Sequence, residues 1–392
     1  LKQKLHILPI IILSQFACTS TWFAGNAIIE SLTKKLDLGP DIISYVISSV
    51  QFGFIIGTLI FGVLMIADRF SPAKVFMICA FLASISNLAL IYPQLSINSL
   101  LITRFSTGFF LAGIYPVGMK IAADYYEKGL GKALGYLVGA LVLGTAFPFL
   151  IKGSPLANHP DSVIKLTSGI TALGGLSLFL LVPNGPFRVA STTLNLNAGP
   201  VLFKNFEFKK AAFGYFGHMW ELYAFWAFTP VAIQWFAIQT GNHISVSLWS
   251  GIVIALGGVS CAYGGILSER LSSKRVALIA LLASGFLCLI SPLLFLLPKY
   301  LFLATWCIWG IAVTADSPQF SNLIASSVSS ELKGTALTLV NCIGFALTII
   351  SIQLLGILQT IIPTPFLFIP LAIGPLLALY YLLIKKKRIP SI

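Results

Sequence analysis

Apolar runs, commonly about twenty residues long and free of Lys, Arg, Asp and Glu, alternate along this chain with short polar or Pro/Gly-containing interruptions. At about 1.5 Å per residue, a helix of about twenty residues crosses a hydrocarbon layer of about 30 Å. The runs predict twelve membrane-spanning helices, near 9–31, 43–66, 74–92, 98–120, 131–151, 164–183, 210–237, 247–267, 275–297, 300–324, 334–358 and 364–384. A transmembrane barrel would instead show short segments of alternating apolar and polar residues, and that pattern is missing. The expected fold is an all-α membrane protein.

Composition agrees: 57% of the 392 residues are apolar and 9% are charged, too few charges to keep a surface of this size in water. The net charge of +13 does not point to nucleic acid, because the basic residues sit in short loops and at the two ends. With the N-terminus taken as cytoplasmic, most of them fall in the inner segments, and the outer segments hold only Lys34, Lys35, Lys152, Lys165 and Lys299. This asymmetry predicts a multi-pass protein of the cell (inner) membrane with both termini cytoplasmic. The six cysteines all lie inside apolar runs without CxxC spacing and read as small apolar side chains. The first apolar run exceeds a signal-peptide core and lacks a small-residue cleavage motif, so it reads as a retained span.

The longest polar interruption, 184–209, contains Asn184, Gly185 and Pro186 and follows Pro183. It divides an N-terminal six-helix bundle (1–183) from a C-terminal one (210–392), with a cytoplasmic central loop between. A repeat supports the division: Asp68-Arg69-Phe70-Ser71-Pro72-Ala73-Lys74-Val75 returns as Glu269-Arg270-Leu271-Ser272-Ser273-Lys274-Arg275-Val276, and Gly131-Lys132-Ala133-Leu134 as Gly334-Thr335-Ala336-Leu337. Two related halves are a common construction of secondary transporters.

Six plus six helices, a basic central loop and an acidic-Arg motif between the second and third helices of each half resemble the major facilitator superfamily, here its bacterial-type members. Gly265-Ile266-Leu267-Ser268-Glu269-Arg270 keeps the family's glycine spacing, whereas the first copy has Leu64 at the glycine position and Ser71 at the following one. Arg104-Phe105-Ser106-Thr107-Gly108 is similar to the family's Arg-x-x-x-Gly element, tied in many members to proton coupling. The arginines that nitrate carriers of the family use on helices 2 and 8 are missing. The resemblance implies that Asp68, Arg69, Glu269, Arg270 and Arg275 form inner-side charge networks that hold the outward-open state. It also implies that the first helix of each three-helix unit lines a central cavity.

A charge near mid-bilayer is costly, so ionisable residues deep in a span are functional candidates. They are Glu30 on span 1, Arg104 on span 4, His218 and Glu221 on span 7, and Asp316 on span 10, each on one of those cavity helices. On span 1, Gln15, Thr19, Trp22, Asn26 and Glu30 recur at intervals of three or four and share one helical face. Arg104 keeps its charge and pairs with carboxylates, so it serves either a structural partner such as Glu30 or an anionic group on the solute. His218 and Glu221, three apart, project from one side of span 7, where a mutual hydrogen bond or proton coupling are the alternatives; two ligands are too few for a metal. A carboxylate removed from water holds its proton more readily, which suits proton loading; Glu221 is the first candidate and Asp316 the second. Pro318, and Tyr115-Pro116 in the other half, predict interrupted helices whose freed carbonyls line a cavity.

The expectation is a secondary active transporter, a monomer without enzymatic activity, cofactor or nucleic-acid partner. It moves a small, anionic or zwitterionic solute with protons by alternating access. Trp22, Asn26, Arg104, Tyr115, His218 and Gln319 contact the solute, and Glu221, Asp316 and Glu30 serve proton coupling. Multidrug or metabolite efflux, and a receptor or scaffold that transports nothing, are the alternatives.

Overall fold

The computed structural model describes residues 6–39, 41–126, 130–156, 159–188 and 196–384. The terminal basic residues Lys2, Lys4 and Lys385 to Arg388, and Lys128, lie outside the described residues. Twelve crossing elements follow in order: α1 (Ile7–Thr19, continued by Ala24–Ala27 and Ile29–Leu36), α2 (Ile42–Val63), α3 (Pro72–Leu88), α4 (Ile97–Leu111, continued by Tyr115–Ala123), α5 (Leu130–Lys152), α6 (Pro160–Leu181), α7 (Phe206–Thr240), α8 (Val246–Leu271), α9 (Ser273–Leu289, continued by Ser291–Leu294), α10 (Lys299–Ala315, continued by Ser317–Ser326), α11 (Lys333–Leu358) and α12 (Ile373–Leu383, preceded by the 3₁₀ turns Thr364–Phe366 and Ile369–Ala372). Among the described residues, nine of the helical stretches are long and apolar enough by themselves to cross a bilayer. The exceptions are the interrupted α1, the shorter α9, and α7. Large apolar side chains stay exposed on the outer helix faces, among them Ile85, Ile102, Leu173 and Phe286, and form the surface that lipid covers.

Packing repeats between the halves. In the first half α1 packs on α5 and α6, α2 on α4, and α3 on α6; in the second, α7 packs on α11 and α12, α8 on α10, and α9 on α12. Glycines permit the closest of these approaches. A Cβ at Gly108 would lie 1.9 Å from the Val50 carbonyl oxygen, and one at Gly310 would lie 2.4 Å from that of Val253, so both α2/α4 and α8/α10 meet backbone to backbone.

The halves meet along α5/α8 and α2/α11. At the end away from residues 184–209, Gln353 on α11 donates to Ser48 on α2 at 2.8 Å, and a Cβ at Gly153 on α5 would lie 2.6 Å from the Leu248 backbone of α8. At the linker end the same helices part. A Cβ at Gly135, Gly265 or Gly334 would meet nothing within 4 Å, and a cleft opens between α2, α4 and α11, lined in part by Thr58, Asp68, Lys120 and Thr335. The glycine spacing retained at Gly265 therefore makes no close helix contact in this conformation.

Two interruptions follow the expected proline logic: α4 breaks before Tyr115-Pro116, and α10 breaks at Asp316 before Ser317-Pro318. The break in α1 at 20–23 has no proline. There Thr19, Ser20 and Thr21 turn their hydroxyls onto the carbonyls of Gln15, Ala17 and Cys18, a local bonding pattern that competes with the helical ladder. The polar face expected to run unbroken from Gln15 to Glu30 is consequently divided.

Candidate functional site

Arg104 occupies the gap left by the α1 break. Its guanidinium, fully buried, donates to the carbonyl oxygens of Trp22 (2.5 Å) and Thr21 (3.2 Å) and to Asn87 Oδ1 (3.3 Å). Asn87 in turn donates to Thr167 and Ser168 on α6. Backbone freed by the break thus solvates the charge, and Gly25 lets the chain close over it, since a Cβ there would lie 3.1 Å from Nε. The expected ion pair with Glu30 does not form. Glu30 is exposed at the far end and pairs with Lys152 at 3.3 Å, so its expected burial in a span is corrected. Its NH1 and NH2 groups are thus bonded inside the first half, and its Nε has no hydrogen-bond partner.

His218 and Glu221 diverge as well. Residues three apart on a helix lie about 60° apart around its axis, enough to face different neighbours. Glu221 accepts from Trp309 Nε1 (2.8 Å), Ser284 Oγ (2.9 Å) and Cys288 Sγ (3.3 Å), sealed between α7, α9 and α10. Asn87 and Cys288 stand at the same repeat offset as Asp68 and Glu269, so each half carries a buried polar centre between corresponding helices, one built around a cation and one around a carboxylate.

His218 Nδ1 lies 2.8 Å from Asp316 Oδ1, with the N–H direction not aligned on the oxygen, and Nε2 lies 2.7 Å from Ser317 Oγ. Asp316 is buried and Ser317 half-buried, and they join α7 to the break in α10. Gln319, one turn into the second segment of α10, is buried beside Gly264 of α8 with its amide nitrogen unpartnered. Tyr115 starts the second segment of α4.

Trp22 reaches across to the second half. Its ring stacks with Tyr223 and Phe345, both at 5.9 Å between centroids, and tilts against Phe54 at 4.9 Å; Phe54 meets Phe345 at 4.6 Å. Trp226 packs on Tyr223 at 5.2 Å. Asn26 lies one turn beyond Trp22, and Gln51 one turn before Phe54. The sequence reading did not single out Gln51 or Asn87, which are neutral amides within apolar runs.

At the linker end, Asp68 pairs with Lys120 at 2.5 Å, and Arg188 donates to the carbonyl oxygens of Asp68 and Phe70 at 3.1 and 3.0 Å. Phe187 N donates to Asp124 O at 3.0 Å, so the linker start is fastened to the first half. Burial pushes the Asp124 carboxyl above the ordinary range, with Lys120 and Arg188 opposing the effect. The raised value means that this group's stabilising contribution is present below the ordinary carboxylate range and is lost as pH rises through the raised value. Arg69, Glu269, Arg270 and Arg275 are exposed, and no ion pair joins them among the described residues, so the charge network expected in the second half does not form in this conformation. Nor, among the described residues, does any group of three or more His, Cys, Asp or Glu side chains gather in an arrangement that could hold a metal ion.

Two six-helix halves around a shared interface, with broken helices α1, α4 and α10 and buried ionisable groups on α4, α7 and α10, define the class of membrane transporters built from repeats. A model of the Major Facilitator Superfamily matches residues 10–388, and the chain belongs to that family of non-enzymatic secondary transporters. No curated relative matches significantly. Among solved structures, a bacterial homologue of the human lysosomal transporter Spinster, in an inward-facing and unoccupied conformation, is similar at 15% identity and a TM-score of 0.70, covering 96% of this chain and 95% of that one. The proton:xylose symporter XylE bound to 6-bromo-6-deoxy-D-glucose is similar at 14% identity and a TM-score of 0.72, covering 96% and 94%. At these identities the likeness concerns the fold.

Proposed function

We propose that this transporter moves a small solute together with protons, and that residues 1–183 and 210–392 rock about the α5/α8 and α2/α11 contacts to open one end at a time. The observation that carries the proton coupling is the buried His218–Asp316 contact, which ties an unbroken helix to a broken one. With one proton shared between them the carboxyl and imidazole attract each other, and with that proton released a carboxylate faces a neutral imidazole; the loaded and unloaded pairs differ in how strongly they hold α7 to α10, so uptake and release of a proton there biases the rocking. Glu221, ranked first from sequence, accepts from three donors on α9 and α10 and is assigned to holding the second half together. The positive-inside asymmetry supports an inner-membrane location with the linker end cytoplasmic, and a monomer suffices because both halves lie in one chain.

Purified protein in proteoliposomes, given an inward pH gradient and a solute panel, is expected to accumulate a solute and to lose that accumulation when a protonophore is added. Uptake that proceeds equally well without the gradient would rule out proton coupling.

A further inference from the structure

The charged groups of the buried centres are largely engaged within their own halves, but a set of uncharged polar atoms at the interface between halves is not. Trp22 Nε1, both amide atoms of Asn26, both of Gln51 and Trp226 Nε1 have no hydrogen-bond partner, although these residues are between 0% and 4% exposed. An unpaired buried polar group costs about 1–3 kcal/mol, and native proteins hold few of them. Here they cluster. Trp22 and Trp226 both pack on Tyr223, Gln51 precedes Phe54 by one turn on α2, and Asn26 lies in the short α1 segment that follows the break carrying Trp22. Phe54, Phe345 and Tyr223 supply flat apolar walls around them.

We propose that this cluster is the solute site and that it takes an uncharged, polyhydroxylated solute; the inference rests on the transporter reading above. Each amide offers a donor and an acceptor, a demand that a hydroxyl meets with its own hydrogen and lone pairs. The two indole N–H groups donate to further hydroxyl oxygens, and the aromatic walls take the C–H faces of a ring or polyol chain. No side chain of the set carries a charge. A carboxylate solute would meet two amide oxygens, and of the Arg104 donors NH1 and NH2 are already taken by Asn87 and the carbonyls of Thr21 and Trp22, with Nε alone left without a partner. An organic cation would find aromatic faces without a carboxylate to balance it. The site bridges α1 and α2 to α7 and α11, so a bound solute engages both halves.

The test measures binding to the full-length protein in detergent by thermal stabilisation and tryptophan quenching. The probes are neutral polyols and monosaccharides (mannitol, xylitol, glucose), carboxylates (lactate, glutamate) and tetramethylammonium. Saturable binding is expected only in the neutral group, weakened about tenfold or more by Gln51→Leu and by Asn26→Leu as hydrogen bonds are removed. Both variants should be at least as thermostable as the parent without solute, because each removes an unpaired buried amide; an amide with a purely structural role would instead destabilise on removal. Saturable binding or exchange of a carboxylate or of tetramethylammonium, unaffected by either variant, would overturn the neutral-solute assignment and leave the transporter reading intact. Lower thermostability of both variants would overturn the assignment of these amides. Failure of every class both to bind and to exchange would overturn the transporter reading itself.

Discussion

Asp316→Asn is expected to abolish gradient-driven accumulation while leaving solute exchange across the membrane in place. At one proton per solute, an imposed gradient of about two pH units sustains about a hundredfold accumulation, since each unit is worth about 1.4 kcal/mol. The variant should fall to a ratio of about one, because an amide at this position keeps the shape of the contact with His218 but cannot carry the proton. Glu221→Gln is expected to act differently. The carboxylate accepts from Trp309, Ser284 and Cys288, and an amide replaces one acceptor oxygen by a donor that faces other donors. Lower thermostability with coupling retained is therefore the expected outcome. If Glu221→Gln uncouples transport and Asp316→Asn does not, the roles of the two carboxyl groups are reversed.

Arg104→Ala is expected to yield little folded protein in the membrane, in contrast to a solute-binding arginine, whose removal would spare the fold and stop transport. The substitution leaves the carbonyls of Thr21 and Trp22 and the amide of Asn87 without their donor in a fully buried gap. Hydrogen bonds to a charged group are each worth about 1.5–3 kcal/mol, and several are lost together. Arg104→Lys should recover part of the stability, since an ammonium can donate to the two carbonyls but cannot span to Asn87 in the same planar geometry. Thermal unfolding of the detergent-solubilised protein checks both variants. A well-folded Arg104→Ala protein with transport alone lost would restore the anion-binding reading.

Much of the scaffold was legible because its physical signals are coarse. Twenty-residue apolar runs, the basic asymmetry of the loops and the returning Asp68 and Glu269 segments all follow from the demands of a bilayer and of a duplicated bundle. The breaks at Tyr115-Pro116 and Asp316-Ser317-Pro318 were legible through proline. The break at residues 20–23 was not, since three consecutive hydroxyl residues in a span are read as polar lining before they are read as a competing backbone bonding pattern. Its consequence for Arg104 was hidden with it. The separation of His218 from Glu221 depends on which neighbours flank α7, and spacing along one helix does not contain that information. Gln51 and Trp226 were not legible as site residues because a neutral amide or an indole in an apolar run reads as packing; only their lack of partners distinguishes them.

The central claim, that the two halves rock to open one end at a time, is tested most directly by spin-label distances in lipid nanodiscs on a background without native cysteines. One label pair replaces Tyr45 on α2 and Ile357 on α11 at the far end, and a second replaces Leu64 after α2 and Lys333 on α11 at the linker end; all four positions are exposed. As pH is varied, with and without solute, the far-end distance should shorten as the linker-end distance lengthens, and the reverse. Two distance distributions that stay fixed under all these conditions, or that lengthen together, would contradict the account.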